Sequence, residues 1–516
     1  MKQITKRIYD DTNIYIKNVP KNVRKEMGQF FTHPVVASYM GSLAEIKSSS
    51  IRILDAGAGN GILIGSICEN ILKNNNEVCK ITVDLYENND TIISLLSFNM
   101  ELLRTELSLV NIEFQYSIIE ENFILYNEKS WLNNDFIGIY DIVISNPPYK
   151  KIGKLDAESV VMNSIIHGQP NIYFLFIAMA TKLLKNDGQL IFITPRSFTS
   201  GAYFRKFREW FLNNIRLYNI HIFISRSDVF SCDNILQETI IFKAIKTKEH
   251  LETVTISETP SLSDFSNIVK HKVSYNLIAN PKDEHSYIKI PSSIENVELL
   301  TIMNDWKENL ITLGFKLKTG PIVDFRSTKY LVDTEEYDGE NTVPVFWSSN
   351  FSESNLISHP VRKKQGEYQV AHRCPKSDSI LLKNKDYIFI KRFTTKEEHR
   401  RLQCALYFAN KFNTQMIGIE NHLNYITKIK GEITKDEIYG IFTILNSTYA
   451  DKYYRILNGS TQVNATEVNS MPFPSLDVIV AIGKRALLIN DNLTCDSCDE
   501  IINEEIVLNR EYKRAV

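Results

Sequence analysis

The segment Ile51–Gly61, IRILDAGAGNG, constrains the fold more than any other stretch of this 516-residue chain. A β-branched apolar run ends in Asp55, glycines follow at alternate positions 57, 59 and 61, and a helical pattern begins at once. Glycine permits a tight turn and a close backbone approach to a ligand, so a strand–loop–helix passage of this kind opens a βαβ unit. The rhythm then continues. Short apolar runs predict strands at Ile51–Asp55, Ile81–Glu87, Asn111–Ile118, Tyr140–Ser145, Gln189–Thr194, Leu217–Phe223 and Glu238–Ala244. Helical patterns lie at Gly61–Lys73, Thr91–Glu106, Ile172–Leu184 and Ala202–Asn213. Ile172–Leu184 is apolar nearly all round and predicts a helix buried against the sheet, stopped by Asn186-Asp187-Gly188. The expectation for residues 1–245 is therefore a Rossmann-like α/β domain with a mostly parallel sheet. After Lys246 the rhythm fails. Residues 246–293 read as a connector with some strands, and 294–516 as a mixed α+β domain ending in amphipathic helix from Asp477.

Composition narrows the class. The chain is 43% hydrophobic and 23% charged, a globular profile. No apolar run reaches the roughly 18 residues of a membrane span, and the polar start MKQITKRIYDDTN gives no expectation of a signal peptide. A cytoplasmic chain without a membrane partner is expected. Seven cysteines are too sparse for a disulfide framework, and the lone Cys495–Cys498 spacing has no second pair, so no metal is expected. Net charge is only −2, but it is unevenly spread. From Gly61 to Ser145 there are 4 Lys/Arg against 13 Asp/Glu; from Val361 to Arg401 there are 12 against 5. An acidic half suits a cationic small molecule, and a basic segment suits phosphate.

Two constellations carry chemistry. The loop spacing is G-x-G-x-G behind a carboxylate, which fits a cationic ligand terminus better than a pyrophosphate. Glu87, ending the next strand, is placed to take two ribose hydroxyls. The second constellation is Asn146-Pro147-Pro148-Tyr149, directly after the strand Tyr140–Ser145. Two prolines remove two N–H donors, so the backbone there presents carbonyl acceptors only. The Asn146 amide oxygen and the Pro147 carbonyl can then accept from one planar NH₂ group, while Tyr149 offers a face to a flat ring.

With Gly28-Gln29-Phe30-Phe31-Thr32-His33-Pro34 upstream, these motifs resemble the S-adenosylmethionine-dependent N6-adenine DNA methyltransferases of the gamma order. In that order the cofactor motifs come first, the catalytic tetrapeptide next and the target-recognition domain last. The resemblance implies a seven-stranded methyltransferase domain, a mixed α+β target-recognition domain, S-adenosyl-L-methionine as cofactor and double-stranded DNA as partner. It leaves room for a separate cognate restriction endonuclease. Phe30, Phe31 and Thr32 would line the methionine end of the cofactor and Asp55 would take its ammonium, with Gly57, Gly59 and Gly61 packed beneath. Glu87 would bind the ribose, Phe123 would pack on the adenine, and Asn122 would accept from its amino group. Asn122 stands where relatives often carry a carboxylate, and His33 replaces a usual proline. The target base, extruded from the duplex, would stack on Tyr149 with Phe230 opposite.

The resemblance also suggests where DNA is met. Lys150 and Lys151, with Lys154 beyond, are candidates for phosphate contact. So are Lys391, Arg392, Lys396, Arg400 and Arg401, while Gln462 and Asn464 could read adenine edges. Enzymes that methylate a glutamine side chain or guanine N2 in RNA also use Asn-Pro-Pro-Tyr, so an RNA or protein N-methyltransferase is the alternative. A non-catalytic specificity subunit is a third reading, disfavoured because Asp55, Glu87 and the tetrapeptide are all intact.

Overall fold

Strand β1 (Ser50–Ala56) forms from a run whose Ile51, Ile53 and Leu54 are all buried, and it ends at the glycine loop. Strands β2 (Lys80–Tyr86) and β4 (Tyr140–Ser145) flank it in parallel, with Ile53 opposite Val83 on one side and Ile142 on the other. The sheet is completed by β3 (Glu113–Ile119), β5 (Leu184–Pro195), β6 (Arg216–Phe223), β7 (Thr239–Ile245), β8 (Thr253–Thr259) and β9 (Val269–Ser274). Its order is β3-β2-β1-β4-β5-β7-β6-β8-β9, with β7 antiparallel to both β5 and β6. The expected α/β fold class is the one observed in this computed structural model, which describes residues 4–18, 31–74, 77–223, 238–260, 265, 267–332, 338, 341–352, 355–361, 368–395, 397–489 and 493–515. Phe30, Phe230 and Lys396 lie outside the described residues.

The helices of this unit are α1 (Ile4–Asn18), α2 (Pro34–Ser42), α3 (Ile62–Lys73), α4 (Asp90–Ser108), α5 (Ile172–Leu183) and α6 (Arg205–Asn214), besides several short turns. Every residue of α5 except Lys182 is buried, as its all-round apolar pattern predicts. Asp187 takes φ 61° near the start of β5, and the ladder between β4 and β5 shifts register there. The stretch 246–293 does more than connect. It adds β8 and β9 to the sheet because Val254, Ile256 and Val273 alternate inward and are buried.

The chain divides into two compact units, Met1–Ile294 and Glu295–Val516. In the second, a four-stranded sheet runs in the order Phe315–Thr319, Leu423–Lys428, Tyr387–Lys391, Cys404–Tyr407. A five-stranded sheet of shorter strands centres on Thr342–Phe346 and Met416–Ile419. Helices Lys435–Leu445 and Leu476–Ile489 meet almost backbone to backbone. A Cβ on Gly483 would stand 1.8 Å from the Asp436 carbonyl oxygen, so only glycine allows that approach. Among the described residues no helix is long and apolar enough to cross a membrane.

Candidate active site

Asp55 ends β1 between Leu85 of β2 and Ile144 of β4, at the carboxyl edge of the sheet. Its side chain is fully buried, and among the described residues neither carboxylate oxygen has a hydrogen-bond partner. Burial, and secondly the nearby charge of Glu87, hold its pKa well above the usual carboxylate value. A buried carboxylate with no partner is costly unless a cation arrives. Gly57, Gly59 and Gly61 have φ of 79°, 53° and 78°, a left-handed path that side chains rarely adopt. The Gly57 and Ala58 N–H groups both donate to the Tyr86 carbonyl at 2.9 Å, which folds the loop onto the end of β2. At Gly61 a Cβ would also meet Met100 Cε at 2.4 Å, so geometry and space both demand glycine there.

Glu87 follows β2. Its Oε2 accepts from the Gly59 N–H and its Oε1 from the Asn89 N–H, each at 3.0 Å. Burial raises its pKa, and these backbone donors oppose the rise. The glycine loop is thus tied to the acid by a direct bond.

Asn146-Pro147-Pro148-Tyr149 follows β4, whose Ser145 hydroxyl donates to the Ala56 carbonyl and joins the two strand ends. The Asn146 amide Nδ2 donates to Thr32 Oγ1 at 3.1 Å. The Tyr149 hydroxyl lies 3.0 Å from both Asn146 Oδ1 and the Ile193 carbonyl oxygen, and donates to them. Burial keeps that phenol protonated. His33 caps α2 with Pro34 at its first turn: Nδ1 accepts from the Val35 N–H at 3.4 Å, and burial lowers the imidazole pKa, which favours this neutral role. The expected proline is thus replaced by a helix cap.

A cavity of about 660 Å³ opens at this sheet edge. Of the expected residues, Phe31, Gly57, Gly59, Glu87, Asn122, Phe123, Asn146, Pro148 and Lys150 line it. Thr32 and Tyr149 reach it through Asn146. Phe123 is buried between Tyr86 and Phe176, with ring centroids 5.0 Å away on each side. Tyr86, Phe176, Asp156 and Glu158 also line the cavity and were passed over in the sequence. Only the helix period of α5 could have flagged Phe176. Asn122 departs from its expected role as a free acceptor. Its Oδ1 caps the short helix Phe123–Tyr126, accepting from the Ile124 and Leu125 N–H groups at 3.0 and 3.2 Å. Its Nδ2 donates to Glu158 Oε1 at 2.7 Å.

The second unit treats the basic candidates unevenly. Lys391 Nζ lies over the Phe351 ring at 5.3 Å. Arg392 donates to the Asn421 carbonyl at 2.9 Å, and the Gln462 amide oxygen, turned toward the guanidinium, accepts from its Nε at 2.9 Å. Next to it Phe393 is 47% exposed and packs at 5.1 Å from the His422 ring. Arg401 corrects the expectation of phosphate contact, and half-buried Arg400 is tied to the fold. Arg400 donates to the carbonyls of Leu445, Asn446 and Ser447 at the end of helix Lys435–Leu445. Arg401 is fully buried, donating to Thr394 Oγ1 at 3.2 Å and to the Ser460 carbonyl at 2.6 Å. The backbone N–H of Asn464 donates to the Tyr454 hydroxyl at 3.0 Å.

A mostly parallel sheet with antiparallel β7 inserted between β5 and β6, a glycine loop behind a buried acid and a second acid at the end of β2 define an S-adenosylmethionine-dependent methyltransferase. The unpartnered Asp55 carboxylate and the glycine cradle fit the cofactor's ammonium end. The Eco57I restriction-modification methylase family matches residues 67–230. The chain is 32% identical over 520 residues to the type II methyltransferase M.BsuBI of Bacillus subtilis, covering 99% of each. It is 29% identical over 488 residues to the type II methyltransferase M.PstI of Providencia stuartii, covering 95% of this chain and 94% of the relative. Among solved structures, the type IIL restriction-modification enzyme MmeI in complex with DNA shares the fold, with a TM-score of 0.55 at 12% identity over 98% of this chain and 72% of that one. The chain belongs to the type II restriction-modification methyltransferases, and S-adenosylmethionine is its cofactor.

Proposed function

We propose that this protein is a site-specific DNA methyltransferase that modifies N6 of an adenine flipped out of the duplex. Residues Met1–Ile294 would carry the chemistry and Glu295–Val516 the target recognition. The observation that supports the reading most is the polar arrangement at Asn146, whose Oδ1 neighbours the Pro147 carbonyl beside a cavity floored by glycines.

The bound cofactor supplies a methyl group on a sulfonium, electrophilic and ready for in-line transfer. The chain's own residues supply the rest. Asp55 neutralises the cofactor's ammonium, Glu87 accepts from its ribose hydroxyls, and the apolar faces of Phe31 and Phe123 exclude water around it. Adenine's N6 lone pair is delocalised into the ring and is a poor nucleophile. Asn146 Oδ1 and the Pro147 carbonyl accept its two hydrogens, favour pyramidal nitrogen and stabilise the positive charge that grows during transfer. Tyr149 has a second acceptor in the Ile193 carbonyl, so its hydroxyl can give up Asn146 Oδ1 when the target amine arrives. After transfer the extra proton leaves N6 to solvent. Lys150 and Lys151, beside the tetrapeptide, and Lys391 and Arg392, on the second unit, remain the candidates for phosphate. Phe230 and Lys396 remain candidates on sequence alone.

The test is methyl-labelled S-adenosylmethionine with unmethylated duplex DNA, run beside Asn146→Ala. We expect label recovered as N6-methyladenine, and a loss of about 10³-fold or more in turnover for the variant with cofactor affinity nearly unchanged. Label in cytosine, or in RNA or protein instead of DNA, would refute the adenine reading.

A further inference from the structure

We infer that Glu158 is the carboxylate that reads the exocyclic amino group of the cofactor's adenine, with Asn122 as its positioning residue. The inference rests on the cofactor assignment above. A purine packed against Phe123 presents an edge whose amino group must find an acceptor once water is excluded. Asn122, the residue before Phe123, is already spent. Two backbone N–H groups occupy its Oδ1, and this assigns the amide orientation unambiguously. What Asn122 presents beyond the helix cap is a donor, and that donor holds Glu158 Oε1 at 2.7 Å.

The other carboxylates on this wall are less suited. Asp90 and Glu121 are exposed, Glu87 is held by the Gly59 and Asn89 N–H groups, and Asp156 is exposed with its Oδ2 accepting the Gly153 N–H at 2.8 Å. Glu158 is half-buried, lines the cavity, and is oriented, among the described residues, by the bond from Asn122. An ionised carboxylate has roughly four acceptor positions, and Asn122 uses one. The acceptor on this wall is therefore a side chain 36 positions along the chain from Asn122, in the short helix Ala157–Val161 within the loop after the catalytic tetrapeptide. That same loop begins at Lys150, so cofactor recognition and the target-facing loop share one segment.

The experiment is equilibrium binding, by calorimetry, of S-adenosylhomocysteine and of its 6-oxo analogue S-inosylhomocysteine, which presents an acceptor where adenine presents a donor. The wild-type protein is expected to prefer the amino compound by roughly ten- to a hundredfold, the range for a hydrogen bond to a charged group. Glu158→Gln should collapse the preference to within about threefold, because an amide can donate as well as accept. Adding Asn122→Asp to Glu158→Gln returns a carboxylate beside Phe123 and retains a good helix cap, so the preference should return. A wild-type preference retained in Glu158→Gln, or an equal weakening of both ligands with the ratio intact, overturns the inference. If the wild-type protein binds neither compound, the cofactor reading of the cavity falls and this inference falls with it. Melting temperatures of the ligand-free variants confirm that they are folded.

Discussion

Asp55 in the first unit and Arg401 in the second are both fully buried charges, and the protein treats them in opposite ways. Asp55 ends a central strand with both oxygens unpartnered, beside a second acid and three glycines in left-handed conformation. Arg401 is surrounded by its own chain. Its guanidinium donates to Thr394 and Ser460 and lies over the Tyr454 ring at 5.5 Å, and its backbone N–H donates to Asp451 Oδ1 at 2.6 Å. A buried charge whose bonds are met within the fold holds that fold together. One left unmet at a strand's carboxyl edge awaits a ligand of opposite sign. The comparison also explains why basic residues in the second unit cannot be counted as DNA contacts from sequence.

The largest effect should come from removing the satisfied charge. Arg401→Ala leaves the groups it bridged without partners and should cost about 3 kcal/mol or more of stability. Urea denaturation measures this. Unchanged stability with a weaker salt dependence of DNA binding would make Arg401 a phosphate contact and break the contrast.

Asp55→Asn should do the reverse. Cofactor affinity should fall by roughly a hundredfold or more, while the melting temperature of the ligand-free protein stays level or rises, because an unpartnered buried charge is gone. A drop of several degrees without ligand would make Asp55 structural.

The pH dependence sharpens the same point. The folded pKa of Asp55 lies above its ordinary 3.8, so the ligand-free fold binds this proton more tightly than the unfolded chain does. The group's contribution to stability is then fully present below about pH 4 and is lost as pH rises through the raised value. A bound ammonium favours the carboxylate, so cofactor affinity should rise over that interval with release of a proton. Calorimetry in buffers of different ionisation enthalpy counts that proton; none released anywhere from pH 4 upward contradicts the assignment.

The smallest effect should be at the surface. Lys151→Ala removes an exposed charge beside the tetrapeptide, and should lower the slope of log affinity for DNA against log salt by about 1. Cofactor affinity should not move. An unaltered slope would remove Lys151 from the interface.

Much of the first unit was legible because its signals are local. Strand β4 spans Tyr140–Ser145 as its apolar run predicts, and α5 is buried as its pattern requires. The glycines of the loop betray their positive φ in the sequence, since few other residues tolerate it. The strands expected in the connector are there, but their place in the sheet was not legible, because β8 and β9 carry short, polar-flanked runs and β8 pairs with β6 while β9 pairs with β8.

The sequence by itself determined the order of the strands' apolar runs, the glycine turn, and the placement of Asp55, Glu87 and Asn146 at strand ends, since each depends on residues within a few positions. Only the tertiary structure decided which polar atoms were already satisfied. Asn122 became a cap and an orienting donor, Glu158 came to face the cavity, and Arg400 and Arg401 turned inward to carbonyls. Hydrogen-bond satisfaction is a property of groups brought together across the chain, and a side chain's identity does not say which partner reaches it first.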